Sequence, residues 1–196
     1  MPKIVDYQQR RQQIASTAVK LIATQGLENT SIRKIARESG YSKGIVEHYF
    51  DNKDELISYT LNWMNQSYIH RIESAMKNLN GLEALERRIK ETLPLNPATR
   101  EEWSVRLRFW SLATVQKKHQ KIQSEHFKLA RQGFFKDLKQ AKNLRELNSE
   151  FRPIAAVNRI LFTISGASIS SLHSPDIIST KQLSRLPKTI IKELKN

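Results

Sequence analysis

Apolar residues recur at three- and four-residue intervals along almost the whole chain, the spacing of one buried helix face. Ile14, Ala15, Ala18, Val19 and Ile22 form the first such stripe, and Gly26 after them is a left-handed helix stop. Residues 31–39 predict a short helix with Ile32, Ile35 and Ala36 inward. Gly40-Tyr41-Ser42 interrupts it, and residues 43–50 predict another. Asn52 is a good N-cap with Glu55 three residues on, so a long helix starts there. Its stripe is Ile57, Leu61, Met64, Tyr68, Ile72, Ala75 and Leu79, ending at Asn80-Gly81.

Further helices are expected over Leu82–Leu93, Thr99–Gln116, Gln120–Leu147 with a break near Gly133, and Pro153–Leu172. Thr180–Leu194 contains Pro187, which kinks that helix or starts a separate one. No alternating pattern of strand type survives. The expected fold is all-α with about nine helices, divided into an N-terminal domain of residues 1–55 and a larger domain of residues 56–196.

Residues 31–50 have the layout of a helix-turn-helix, in which the second helix enters the major groove and the first crosses the backbone. Ile32, Ile35, Ala36, Ile45 and Phe50 are expected to lock the pair against Leu21, Ile22 and Leu27. Gly40 permits the tight turn, and Ser42 can cap the second helix. Lys43, Gly44, Glu47, His48 and Tyr49 are left outward, while Val46 faces inward with Phe50. Gly44 lets the helix start approach DNA closely, and Lys53 at the next helix start can meet a phosphate.

The set Gly26-x3-Thr30-x4-Ile35-Ala36-x3-Gly40-x-Ser42-x-Gly44, then His48-Tyr49-Phe50-x2-Lys53-x2-Leu56, resembles the DNA-binding signature of TetR-family transcriptional repressors. Gly44-Ile45-Val46-Glu47-His48-Tyr49-Phe50 is most similar to the BetI-type branch. The likeness extends more weakly through Leu93-Pro94-Leu95-Asn96-Pro97 to Trp103. It implies a homodimer whose small N-terminal domains read a palindromic operator, and whose larger domains dimerise and bind a releasing effector. It matches Thr30, Ser31, Lys43, Tyr49 and Lys53 to backbone-contacting positions, and Lys43, Gly44, Glu47 and His48 to groove-facing ones. Arg33 and Ser42 complete the expected DNA-facing set. Glu47 stands where many members have tyrosine, and Tyr41 replaces a small aliphatic residue. The BetI-type likeness further implies a choline-like effector.

Charge changes this picture only in part. Lys and Arg total 33 against 19 Asp and Glu, a formal +14. Residues 1–55 carry nine basic and seven acidic side chains, a net of +2, so the excess sits beyond them. It adds long-range attraction to DNA. It also leaves an alternative, a basic helical protein binding RNA or anionic membrane surfaces through residues 117–145.

The chain has no cysteine, which removes disulfides, thiolate metal sites and cysteine nucleophiles. The N-terminus lacks the apolar core of a signal peptide, and Asn158 and Arg159 interrupt the most apolar stretch. A cytoplasmic protein with no membrane span is expected. Trp63, Tyr68, Trp103, Trp110, Phe127 and Phe134 are candidates to line an effector cavity, where aromatic faces can hold a quaternary ammonium. His119 and His126 lie seven residues apart without a third ligand, and the serines at 165–171 lack a nucleophile elbow. No catalytic residue, metal or cofactor is expected, and the chain reads as a non-enzyme.

Overall fold

The computed structural model describes residues 7–148 and 150–195. Its helices are α1 (Tyr7–Gln25), α2 (Ile32–Ser39), α3 (Lys43–Tyr49), α4 (Lys53–Ala75), α5 (Gly81–Thr92), α6 (Pro97–Val115), α7 (Lys117–Asn143), α8 (Pro153–His173), α9 (Thr180–Leu183) and α10 (Leu186–Lys195). The α9 segment is one four-residue turn. No strand occurs among the described residues, so the all-α expectation holds.

Two compact units emerge. One holds residues up to Ser67 with Ser104–Ile122, the other Tyr68–Trp103 with Gln123 onward. Their boundary does not coincide with residue 55. The first unit takes in the opening turns of α4 and a segment that returns from the middle of the sequence.

In the first unit, α1 buries Ile14, Ala18, Leu21 and Ile22 against Ile35, Ala36, Val46, Phe50, Leu56 and Leu61, with Val105 and Phe109 from the returning segment. Each of the larger of these side chains contributes roughly 1.5–3 kcal/mol of transfer free energy. Gly40 ends α2 with φ 74°, a left-handed position that suits glycine. The Tyr41 N–H donates to Ala36 C=O at 2.9 Å and the Gly40 N–H to Arg37 C=O at 3.2 Å, the two bonds of a Schellman motif. Ile45 departs from expectation. It is 43% exposed, because on so short a helix Val46 and Phe50 already fill the inward direction.

In the second unit, α5, α7, α8 and α10 bury Leu85, Ile89, Phe134, Leu138, Val157, Ile160, Ile164 and Ile190. Three boundaries differ from the sequence reading by more than two residues. Helix α4 stops at Ala75 rather than near Leu79, and Asn78 takes a left-handed φ of 68° in the turn that follows. Helix α7 starts at Lys117 and ends at Asn143, where Gln120 and Leu147 were expected. It also passes through Gly133 unbroken, since the glycine serves packing there: a Cβ would lie 2.7 Å from Nη1 of Arg88. Of the two outcomes expected at Pro187, the separate helix occurs: Pro187 lies in the first turn of α10, where its missing N–H forfeits no bond. Helix α8 is also long and apolar enough, by length and composition, to cross a membrane, contrary to the reading above. Its buried stripe of Ala156, Val157, Ile160, Leu161 and Ile164 lies in this unit's core.

His119, at the start of α7, is fully buried beside the Phe109 ring at 6.3 Å, and neither ring nitrogen has a hydrogen-bond partner. Burial holds the imidazole below its ordinary 6.5, with Asp54 opposing that shift and Lys118 adding to it. The unfolded chain therefore takes up this proton at higher pH than the folded one. The stability that His119 contributes is present above about pH 6.5 and lost as pH falls through the lower folded value. Melting temperature should drop further between about pH 7.5 and about pH 5.5 in the native chain than in His119→Leu. Equal drops would remove His119 from the pH response.

Candidate functional site

The helix-turn-helix is built by two serine caps and a locked inner face. Ser31 Oγ accepts from Lys34 N–H at 3.3 Å and Ser42 Oγ accepts from Ile45 N–H at 3.2 Å, which fixes the starts of α2 and α3. Val46 and Phe50 are 0% and 1% exposed, so α3 cannot rotate about its axis. Lys43, Gly44, Glu47 and His48 stand in solvent on the opposite side. Lys43 Nζ and Glu47 carboxylate pair at 2.9 Å, one helical turn apart. His48 sits edge-on to Tyr49 at 5.2 Å, and half-buried Tyr49 tilts against Tyr7 at 4.9 Å. A Cβ on Gly44 would meet nothing within 4 Å, so no packing within the chain requires a glycine there.

The remaining expected residues divide. Arg33 and Lys53 are exposed, and Lys53 Nζ donates to Leu27 C=O at 3.3 Å. Thr30 is fully buried, with its hydroxyl donating to Gly26 C=O at 2.7 Å. Its side chain secures the turn before α2 and does not face outward. Tyr41 is half-buried and bound to α1: its hydroxyl accepts from Arg10 Nη1 and donates to Gln13 Oε1, both at 2.5 Å. Arg11 was not anticipated. Its guanidinium lies over Phe50 and Tyr59 at 4.5 and 4.4 Å and pairs with Glu55 at 2.6 Å, tying α1 to the end of α3 and the start of α4.

The second unit contains a cavity of about 540 Å³ between α4, α5 and α7. Tyr68, Ile69, Ile72 and Met76 line one side, and Arg88, Leu129, Gly133, Phe134 and Lys136 the other, with Glu73 and Gln132 also in the wall. Only Tyr68 and Phe134 of the six aromatic candidates are in that lining. Trp103 is core instead, its indole N–H donating to Thr92 C=O at 2.6 Å. Phe127 is 43% exposed, and Trp63 and Trp110 belong to the other unit. Helical spacing cannot distinguish an aromatic that lines space from one that fills it. Arg88 is fixed by Asp137, which receives its Nε at 2.5 Å and its Nη2 at 3.2 Å. Among the described residues no cluster of side chains suited to a metal ion occurs.

A capped, locked helix-turn-helix on an all-α chain with a cavity in its second unit defines a ligand-linked DNA-binding regulator. Residues 14–60 match the family model for bacterial regulatory proteins of the tetR family, and residues 81–194 that for the C-terminal part of BetI-type transcriptional repressors. The chain belongs to the BetI-type branch of the TetR family of transcriptional repressors. The regulator PksA of Bacillus subtilis (strain 168) is 27% identical over 193 residues, covering 95% of this chain and 90% of that protein. BetI of Pectobacterium atrosepticum is 34% identical over 79 residues, 40% of each chain. A Saccharomonospora viridis protein, described as a transcriptional regulator and solved in complex with choline, has the same fold (TM-score 0.87, 22% identity, 94% of this chain and 96% of that one). These matches, all to transcriptional regulators, lend no support to an RNA- or membrane-binding role for residues 117–145.

Proposed function

We propose that this repressor works in the cytoplasm as a homodimer on a palindromic operator, and that a small molecule in the second unit's cavity releases it. Residues 1–55 then read DNA, and residues 56–196 bind effector and dimerise. The exposed face of α3 carries the reading: Lys43, Gly44, Glu47 and His48 outward over a fixed Val46 and Phe50, with a glycine that the chain's own packing does not need. Close approach to a duplex supplies that need. Ser31, Arg33, Ser42, Tyr49 and Lys53 flank this face, where cations and hydroxyls meet phosphate.

Dimerisation through α8 and α10 is supported by the apolar surface that α8 leaves over. Ile154 and Phe162 are 60% and 66% exposed on α8, among small residues such as Ala155 and Gly166 that permit close helix approach. Two-fold symmetry of the dimer matches half-sites one turn, ~34–36 Å, apart. Helix α4 begins at Lys53 beside the reading face, and its last turns bring Tyr68, Ile69, Ile72 and Glu73 to the cavity. Filling the cavity therefore biases the tilt of α4 and the spacing of the heads, a coupling of ~1–3 kcal/mol. A neighbour of the same fold was solved in complex with choline, a quaternary ammonium.

Two substitutions, measured on a duplex selected from a random library, test the reading. Lys53→Ala should weaken binding to all sequences alike and make the slope of log K against log salt shallower by roughly 0.9. Glu47→Ala should relax discrimination at one operator position by ~1–3 kcal/mol if the carboxylate reaches a cytosine amino group. Uniformly tighter binding by Glu47→Ala would confine Glu47 to its pairing with Lys43. An unchanged salt slope for Lys53→Ala would remove Lys53 from the interface.

A further inference from the structure

We infer that the cavity of the second unit takes an amphipathic anion, a short apolar chain bearing a carboxylate-like head, and not a quaternary ammonium. The inference rests on the reading of that cavity as the effector site. Its volume of about 540 Å³ suits a small molecule of this size class.

A quaternary ammonium is held by free aromatic faces, and a nearby uncommitted negative charge strengthens the site. Both aromatic rings of the lining already carry a cation: Arg88 lies over Phe134 at 5.8 Å and Arg71 over Tyr68 at 5.4 Å. The edge of His126 meets Tyr68 as well, at 5.4 Å. The buried carboxylate next to the wall, Asp137, is engaged by Arg88 through two nitrogens. Glu73 is the one acidic side chain in the lining, and it is exposed, where water and salt screen it.

Positive donors are placed differently. Asp137 takes Nε and Nη2 of Arg88 and leaves Nη1, which lies across Gly133 so closely that a Cβ there would come within 2.7 Å of it. Glycine at 133 thus clears the wall for a guanidinium whose third nitrogen still has N–H groups to donate. Lys136 follows on the next turn of α7 in the same lining, exposed and screened as Glu73 is, so the shielded guanidinium carries the larger part of the attraction. A carboxylate between Nη1 and Lys136 gains charge-assisted hydrogen bonds from a group only 14% exposed. Ile69, Ile72, Met76 and Leu129 offer the apolar surface for its chain.

The experiment uses two probes with one tail and opposite heads, octanoate and octyltrimethylammonium, titrated calorimetrically into the full chain without DNA. Octanoate should bind at least roughly tenfold more tightly. Lys136→Ala should weaken octanoate severalfold, and Arg88→Met/Asp137→Leu, which removes both charges together, should weaken it by roughly tenfold or more. Equal or tighter binding of octyltrimethylammonium, no binding of octanoate, or octanoate binding unchanged in both variants would each overturn the inference. Operator binding of the ligand-free chain is measured separately. If it persists when octanoate fails, only the ligand class is wrong; if it is absent while octanoate binds, the regulatory reading fails and the cavity chemistry stands.

Discussion

Phe50→Ala should abolish operator binding and cost about 3–5 kcal/mol of stability, the range for emptying a fully buried phenylalanine site. Phe50 closes α3, is 1% exposed, and is covered by the Arg11 guanidinium at 4.5 Å and the Tyr59 edge at 5.4 Å. Truncation leaves a void where α3 meets the first turns of α4, so Val46 alone must set the rotation of the reading helix. Phe50→Leu, which keeps most of the volume, should recover much of both properties. Urea denaturation alongside a binding titration separates the effects. Full operator affinity in a folded Phe50→Ala chain would show that α3 is held some other way.

Arg88→Ala should destabilise the chain by about 3–5 kcal/mol, because Asp137 would be left buried without its partner. Asp137 is 2% exposed, and the pair joins α5 to α7 across the second unit. Asp137→Ala should cost a similar amount by orphaning the guanidinium. Arg88→Met/Asp137→Leu should lie within about 1–2 kcal/mol of the native chain, since it removes both desolvated charges at once. Chemical denaturation of the four proteins completes the double-mutant cycle. Additive losses would mean that the two side chains contribute independently and that the ion pair is not the reason for the cost.

The reading end of the molecule was legible in the sequence because local rules decide it. Ser31 and Ser42 cap, Gly40 turns left-handed, and the short helices between them have one way to face. Ile45 lies outward for the same reason that Val46 lies inward: seven residues give α3 a single buried direction, and only one of two adjacent apolar residues can occupy it. Thr30 fits the family motif yet is spent on its own turn, a distinction that motif spacing does not carry.

The cavity was far less legible. Tyr68 and Phe134 were found through aromatic periodicity, which also returned Trp103, a core residue. Arg88 and Lys136 were missed because surface and cavity cations look alike along a helix. The one available clue was Gly133, a glycine inside a strong helical pattern. Sequence alone suggests a break there, whereas its role is close approach by a side chain 45 positions earlier in sequence. Such a pairing is a tertiary fact with no local signature.

The first unit's discontinuity also has a bearing on how this protein comes into being on the ribosome. Val105, Phe109 and Ile122 belong with the apolar cluster that holds Val46 and Phe50. A nascent chain that has emerged only as far as Ser67 therefore exposes apolar surface meant for partners not yet translated. The common order, in which an N-terminal domain matures before the rest is made, is closed to it. By the time Ile122 of the 196 residues is available, the α5 helix that carries Arg88 is already outside. The first unit thus cannot be finished before part of the second exists, and cutting after Ser67 would yield an incomplete core rather than a self-contained unit.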